Sequence, residues 1–209
     1  MKVLLINGSP NIKGCTYTAL QEVAGELQAS GLETEILWLG NKPVRDCIAC
    51  KACYKLNCEC VFKDDIVSEL IQKAKVADGF VFGSPVYFSH PSGVIQSVLN
   101  RAFYAASAMF RQKPGMAVVS ARRGGTTASF DVLNKYFTIA AMPVVSSTYW
   151  NMVHGNTPEE VRQDLEGLQT MRNGAKNMAW LLECIEAARQ GGISAPKLDF
   201  SNRTNFIRL

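Results

Sequence analysis

Absent from this chain of 209 residues is any apolar run near the ~18 residues of a membrane span, and its start has no basic segment leading into a long apolar stretch. Those absences point to a soluble, cytoplasmic protein with no membrane partner. Charge of one sign is also scarce: 22 Lys and Arg stand against 18 Asp and Glu, a net +4, and the basic residues are scattered. With no basic stripe and no nucleic-acid reading motif, nucleic acid is not expected as a partner. Internal repeats and low-complexity segments are missing too. What remains is 47% hydrophobic and 19% charged, which rules out a disordered or collagen-like chain. At this length folding buries roughly 70% of the unfolded surface, so stability asks for neither a metal nor a disulfide.

Short apolar runs alternate with helical patterns. Lys2–Ile6, Glu33–Leu39, Gly79–Gly83, Met116–Ser120 and Pro143–Thr148 read as strands. Helical spacing predicts Thr16–Ala29, a helix capped by Asp64 or Asp65 and running through Ala77, Ser92–Ala106 and Thr127–Ala141. Thr157, followed by Pro158, Glu159 and Glu160, supplies a cap, a first-turn proline and acids that complement the helix dipole. The helix it starts is expected to reach Ala188, with a break near Asn173–Gly174. Five strands alternating with helices imply an α/β fold: a parallel sheet covered on both faces, a three-layer α/β/α sandwich. Residues 1–190 would form this single domain, and 191–209, without periodicity, a tail. Ligands of such sheets lie outside the carboxyl ends of the strands, near the topological switch point.

Three loops stand at those ends. The first strand runs into Asn7-Gly-Ser-Pro-Asn-Ile-Lys-Gly-Cys-Thr16. Small and hydroxyl residues ahead of a helix let backbone N–H groups approach an anion, and the helix dipole favours it. Cys15 stands where a P-loop needs Lys, and Gly8 is followed by Ser9-Pro10 where a dinucleotide fingerprint needs a second glycine. One terminal phosphate monoester fits, held by Ser9, Thr16, Thr18 and backbone amides; an ordinary strand-to-helix turn is the plainer alternative. After the third strand, Gly83-Ser-Pro-Val-Tyr-Phe-Ser-His-Pro-Ser-Gly93 sets Pro85, Val86, Tyr87 and Phe88 where aromatics either meet a flat ring or cover the core. The fourth strand ends in Ser120-Ala-Arg-Arg-Gly-Gly-Thr-Thr127, whose glycines allow close approach. Arg122 or Arg123 there would offset negative charge on a bound ring, unless both are simply solvated.

Taken together, GSPNIKGCT, GSPVYF and the glycine loop, with CIACKACYKLNCECVFKDDI and YWNMVHG, resemble the flavodoxin-like NADPH-dependent FMN reductase family over roughly Met1 to Gly155. The resemblance implies a flavodoxin-like sheet of order 2-1-3-4-5 with FMN at the switch point. It implies Ser9, Asn11, Gly14, Cys15, Thr16 and Thr18 around the phosphate. Pro85, Val86, Tyr87 and Phe88 would border the isoalloxazine on one side, and Ser120, Arg122 and Gly125 on the other. Cys15 departs from many relatives, which have Asn there. NAD(P)H is implied as co-substrate, its hydride passing to flavin N5 and on to a quinone, flavin or similar small-molecule acceptor. Arg122 is read as an electrostatic stabiliser. His154 is read as a proton donor to the acceptor or as a structural loop histidine, and His90 likewise with less context. The family commonly forms homodimers or homotetramers, and Phe103–Phe110 and the tail Phe200–Leu209 are apolar enough to suggest partner contact.

Five of the seven cysteines fall between Cys47 and Cys60, in the pattern Cys47-x2-Cys50-x2-Cys53-x4-Cys58-x-Cys60. Three thiols at two-residue gaps with a fourth shortly after can wrap one compact inorganic cluster. The spacing resembles the iron–sulfur flavoproteins, in which a 4Fe-4S cluster passes single electrons to FMN, and implies Cys47, Cys50, Cys53 and either Cys58 or Cys60 as ligands. Structural zinc, disulfides, a metal-free loop, and thiols activated by Lys51, Lys55 and Lys63 are the alternatives. Three functions remain open: an FMN-dependent NAD(P)H oxidoreductase, an iron–sulfur flavoprotein electron carrier, and an interaction protein that keeps the fold without the cofactor.

Overall fold

A computed structural model describes residues 1–202, 204 and 206. Its strands are β1 (Lys2–Asn7), β2 (Glu33–Trp38), β3 (Gly79–Tyr87), β4 (His90–Pro91), β5 (Gly115–Ala121) and β6 (Met152–His154). Its helices are α1 (Cys15–Ala29), α2 (Ile66–Val76), α3 (Gly93–Ala106), α4 (Thr126–Ile139), α5 (Pro158–Val161) and α6 (Leu165–Gln190). The sheet order is β2-β1-β3-β5-β6, every neighbouring pair parallel. This is the flavodoxin-like order 2-1-3-4-5 once β4, which only pairs back antiparallel on β3, is set aside.

Alternation along the strands creates the layers. Leu4, Ile6, Phe80, Phe82, Ala117 and Val119 enter one apolar cluster, under α2, α3 and α4; Val3, Leu5, Val81, Met116 and Val118 enter the other, under α1 and α6. Successive side chains leave opposite faces of a strand, so a continuous apolar run serves two cores at once. On the first face Phe82 stacks on Phe137 at 4.7 Å and Phe103 on Phe110 at 4.3 Å between ring centres. Phe103 and Phe110 are therefore core residues, while Tyr104 between them is exposed, so a partner contact at Phe103–Phe110 would use Tyr104 and not these two rings.

Two elements differ from the sequence expectation. Pro143–Thr148 is not a strand. Only Val144 bridges to Gly115, and beyond it Ser147 Oγ donates to Thr170 O (2.7 Å) while Asn177 Nδ2 donates to Ser146 O (2.8 Å). Bonds to α6 replace the sheet ladder there, and the chain rejoins the sheet at β6. The helix begun at Thr157 lasts one turn. The break falls at Arg162–Asp164, where Asp164 caps α6 by accepting from Gly167 N (2.9 Å). Gly174 sits unbroken inside α6; a Cβ there would lie 2.7 Å from Met116 Sδ, so it lets the helix approach β5 closely. Beyond Gln190, Gln112 Nε2 donates to Pro196 O (2.7 Å) and Phe200 lies under Arg111 at 4.4 Å. Of the tail expected to meet a partner, residues 203, 205 and 207–209 lie outside the described residues. No helix among the described residues is long and apolar enough to cross a membrane.

Candidate functional site

The carboxyl ends of β1, β3 and β5 are knit into one rim. Gly8 N donates to Gly83 O (2.8 Å) and Ser92 Oγ donates to Gly8 O (2.6 Å), tying the first loop to β3 and to the start of α3. A Cβ on Gly8 would stand 2.8 Å from Ile95 Cβ, so only glycine permits this approach. The Thr16 and Ser120 hydroxyls share a 2.7 Å hydrogen bond that joins α1 to the end of β5. Gly125, at φ +93°, faces Ser89 and Val86 and joins the third loop to the second.

Within the first loop, buried Asn7 is the organiser. Its Oδ1 accepts from Ser9 N (3.1 Å) and its Nδ2 donates to Ile12 O (3.2 Å), while Ser9 Oγ accepts from Asn11 N (3.2 Å). Trp38 Nε1 donates to Ser9 O (2.8 Å), fixing the loop to the end of β2. Helix α1 then starts at Gly14 with no side-chain cap and no acid in its first turn. Its amides and dipole thus remain available to an anion, which fits the phosphate of a mononucleotide.

The expected site residues fall into two sets. Ser9, Asn11, Gly14, Cys15, Pro85, Val86, Ser120 and Gly125 all lie on this rim. Thr16 and Thr18 are buried, with Thr18 Oγ1 donating to Gly14 O (3.2 Å), so both hydroxyls are engaged inside the protein. Cys15 Sγ lies 3.6 Å from Gly155 O, and burial pushes its pKa up, which keeps it a neutral thiol. Tyr87 and Phe88 do not cover the core: they are exposed, and Phe88 and Ser89 form a two-residue hairpin turn with φ of +50° and +64°. Arg122, Arg123, His90 and His154 are exposed. Asp164 Oδ2 accepts from His154 N (2.7 Å) and stands 3.7 Å from His154 Nδ1.

The cysteine loop spans β2 to α2 and rests on α3. Cys47, Cys50, Cys53 and Cys60 line one cleft with Phe62, Arg101 and Tyr104; Cys58 and Cys60 both pack against the core, but Cys58 does not line the cleft. Ala49, Lys51, Asn57 and Cys58 all have positive φ, an uncommon density of left-handed backbone for residues other than glycine. All seven cysteines are free, and burial pushes the Cys53 thiol above its ordinary pKa. Activation of Cys53 by nearby lysines is thereby opposed, and Lys63 is itself paired with Glu59. Among the described residues no three His, Cys, Asp or Glu side chains are gathered closely enough to hold a metal ion.

Arg101 is the residue that sequence reading missed. Its side chain, on α3, is only 1% exposed. It donates from Nε to Cys60 Sγ (3.4 Å), from Nη1 to Arg45 O (3.2 Å) and from Nη2 to Phe62 O (3.4 Å), and it pairs with Asp65. The only signal was its phase, three residues beyond Val98 on the buried stripe of the helix. Asn7 and Asp164 were missed too, since their partners are backbone groups of the adjoining loops, whose path the sequence does not give.

A doubly covered parallel sheet, an uncapped helix start and three interlocked strand-end loops define a flavodoxin-like mononucleotide-binding protein. Residues 1–157 match the NADPH-dependent FMN reductase family. The chain belongs to that family and is an FMN-binding flavoprotein oxidoreductase. It is 33% identical over 194 residues to an iron–sulfur flavoprotein of Methanocaldococcus jannaschii, covering 89% of this chain and 100% of the relative. It is 32% identical over 200 residues to one of Archaeoglobus fulgidus, covering 90% and 98%. Among solved structures it resembles RosB with a bound 8-demethyl-8-formylriboflavin-5'-phosphate intermediate (TM-score 0.70, 13% identity, 100% of this chain and 96% of that one). It also resembles an NAD(P)H:quinone oxidoreductase of Methanothermobacter marburgensis (TM-score 0.63, 17% identity, 85% and 96%).

Proposed function

We propose that this protein is a cytoplasmic iron–sulfur flavoprotein oxidoreductase whose FMN exchanges electrons with a 4Fe-4S cluster held on the loop from Cys47 to Cys60. The observation that carries the reading is one apolar cleft lined by Cys47, Cys50, Cys53 and Cys60. Soft thiolates and no carboxylate form its donor set, which suits iron–sulfur chemistry. The left-handed residues between the cysteines would wrap the loop around a compact group, and the curated relatives bear the same name. Cys60 is the better fourth ligand than Cys58, because Cys60 lines the cleft with the other three cysteines and Cys58 does not. FMN, when bound, supplies exchange between two-electron and one-electron transfer. The first loop and the α1 amides would hold its phosphate, and Pro85, Val86 and Gly125 would confine its ring.

A second reading keeps NAD(P)H as the hydride donor and a quinone or similar molecule as acceptor. Exposed Tyr87, Phe88, Arg122 and Arg123 at the mouth favour it, since they suit a planar, anionic dinucleotide.

Anaerobic purification followed by an absorption spectrum, with iron and acid-released flavin quantified on one sample, tests both. Flavin with roughly four irons per chain supports the cluster reading, with iron retained in C58S and lost in C60S. Flavin without iron, together with NADPH oxidation, replaces it by the two-electron reductase.

A further inference from the structure

A buried arginine is costly unless every donor finds a partner, so the position of Arg101 is informative. Its guanidinium reaches a thiol, two backbone carbonyls and a carboxylate, all on the segment from Arg45 to Asp65 that carries the cysteines. The aromatic ring of Phe62 lies 5.2 Å from its central carbon, and Arg45 stacks over the same ring at 4.5 Å. Asp65 also caps α2 by accepting from Val67 N (3.2 Å). One side chain from α3 thus ties the loop to the first turn of α2 and aims an N–H at the sulfur of Cys60. The other lining cysteines receive no such donor among the described residues, and cation pairing with Asp65 leaves the directed N–H as the local effect on the sulfur.

We propose that Arg101 is a positioning residue that holds Cys60 as the fourth thiolate and raises the reduction potential of the cluster through its N–H···S hydrogen bond. The proposal rests on the cluster reading above. A hydrogen bond to a ligand sulfur favours the more negatively charged, reduced form, so its loss lowers the potential, whereas removing a nearby anion raises it. Removing the Nε donor and removing the Asp65 charge that pairs with Arg101 therefore predict shifts of opposite sign, which a loosened loop would not produce.

The test is an EPR-monitored redox titration of the wild-type holoprotein, R101K and D65N, with iron, FMN and thermal melting measured on each. R101K keeps the charge beside Asp65 but loses the Nε donor. D65N keeps acceptors for Arg101 and for Val67 N while removing the negative charge. The expected result is retained iron in both, a tenfold or greater shift of the one-electron equilibrium toward the oxidised cluster in R101K (about 59 mV downward), and an upward shift in D65N. If R101K fails to fold or to hold iron, D65N decides: a raised potential supports the proposal and an unchanged one overturns it. Unchanged potential in an iron-loaded R101K overturns it, as does loss of iron from both variants, which would leave Arg101 a structural tie. Wild-type protein without iron would instead refute the cluster reading, and the inference with it.

Discussion

The hydrogen bond between Thr16 and Ser120 joins two walls of the flavin site, and its removal can be worked through in detail. The oxygens are 2.7 Å apart, and Thr16 and Ser120 are 1% and 3% exposed. T16V removes one hydroxyl at nearly constant volume and orphans Ser120 Oγ; S120A orphans Thr16 Oγ1. Leaving one buried hydroxyl unpaired costs about 1–3 kcal/mol, whereas losing the whole pair costs about 0.5–1.5 kcal/mol. The double variant should then be no less stable than the worse single one, a clear departure from additivity. Urea melts of the four apoproteins with unchanged slopes read this directly, and thermal melts should move about 2–4 °C per kcal/mol. Full additivity would refute the reasoning. The flavin side gives a second check. With its hydroxyl engaged by Ser120, Thr16 acts through wall geometry, so T16V and S120A should weaken FMN binding to similar extents. A much larger loss in T16V alone would mean that the Thr16 hydroxyl leaves Ser120 for the phosphate.

Gly125→Ala places a Cβ 2.8 Å from Ser89 Oγ on backbone at φ +93°. A non-glycine residue there costs about 1–2 kcal/mol, so FMN affinity by fluorescence titration should fall about tenfold; unchanged affinity would show that the loop does not border the ring. Hydrogen bonds from the Lys2 and Lys73 ammoniums, at 2.8 and 2.5 Å, hold the Glu35 carboxyl below its ordinary 4.5. A folded pKa below the unfolded one stabilises above the unfolded value and is lost as pH falls through the folded one. E35Q should therefore be less stable than wild type at neutral pH, with a gap that closes as pH falls below the ordinary carboxyl value of 4.5 and through the lower folded one; a constant gap in urea melts refutes the assignment. D164A removes the cap of α6 and the acceptor for His154 N, costing about 0.5–2 kcal/mol by thermal melting. D164N should recover most of it, and a change in D164A within about 0.5 kcal/mol would show the cap to be idle.

Much of the architecture is legible in the chain because its signals are local. The apolar run Val3–Ile6 reads as a doubly covered strand, and Ser92 and Asp65 announce their helices, each accepting from a first-turn amide as a cap should. The loop sequences after β1, β3 and β5 identify where a mononucleotide would bind, because strand-end position and small residues are enough to say so. Failures came where a distant partner outweighed local preference. Pro143–Thr148 has strand-forming residues, but bonds to α6 hold it off the ladder; Gly174 looks like a break, but close packing on Met116 makes it part of a continuous helix.

Periodicity, caps and loop composition are properties of adjacent residues, so the fold class and the family could be read along the chain. It also supplied five cysteines in one short segment. Which of them share a cleft, that Thr16 and Ser120 bond to each other, and that Arg101 is buried against Cys60 emerge with the packed fold. Those facts depend on groups up to 104 positions apart in the chain, brought together by packing of helices on a sheet, and no local pattern encodes such a distance.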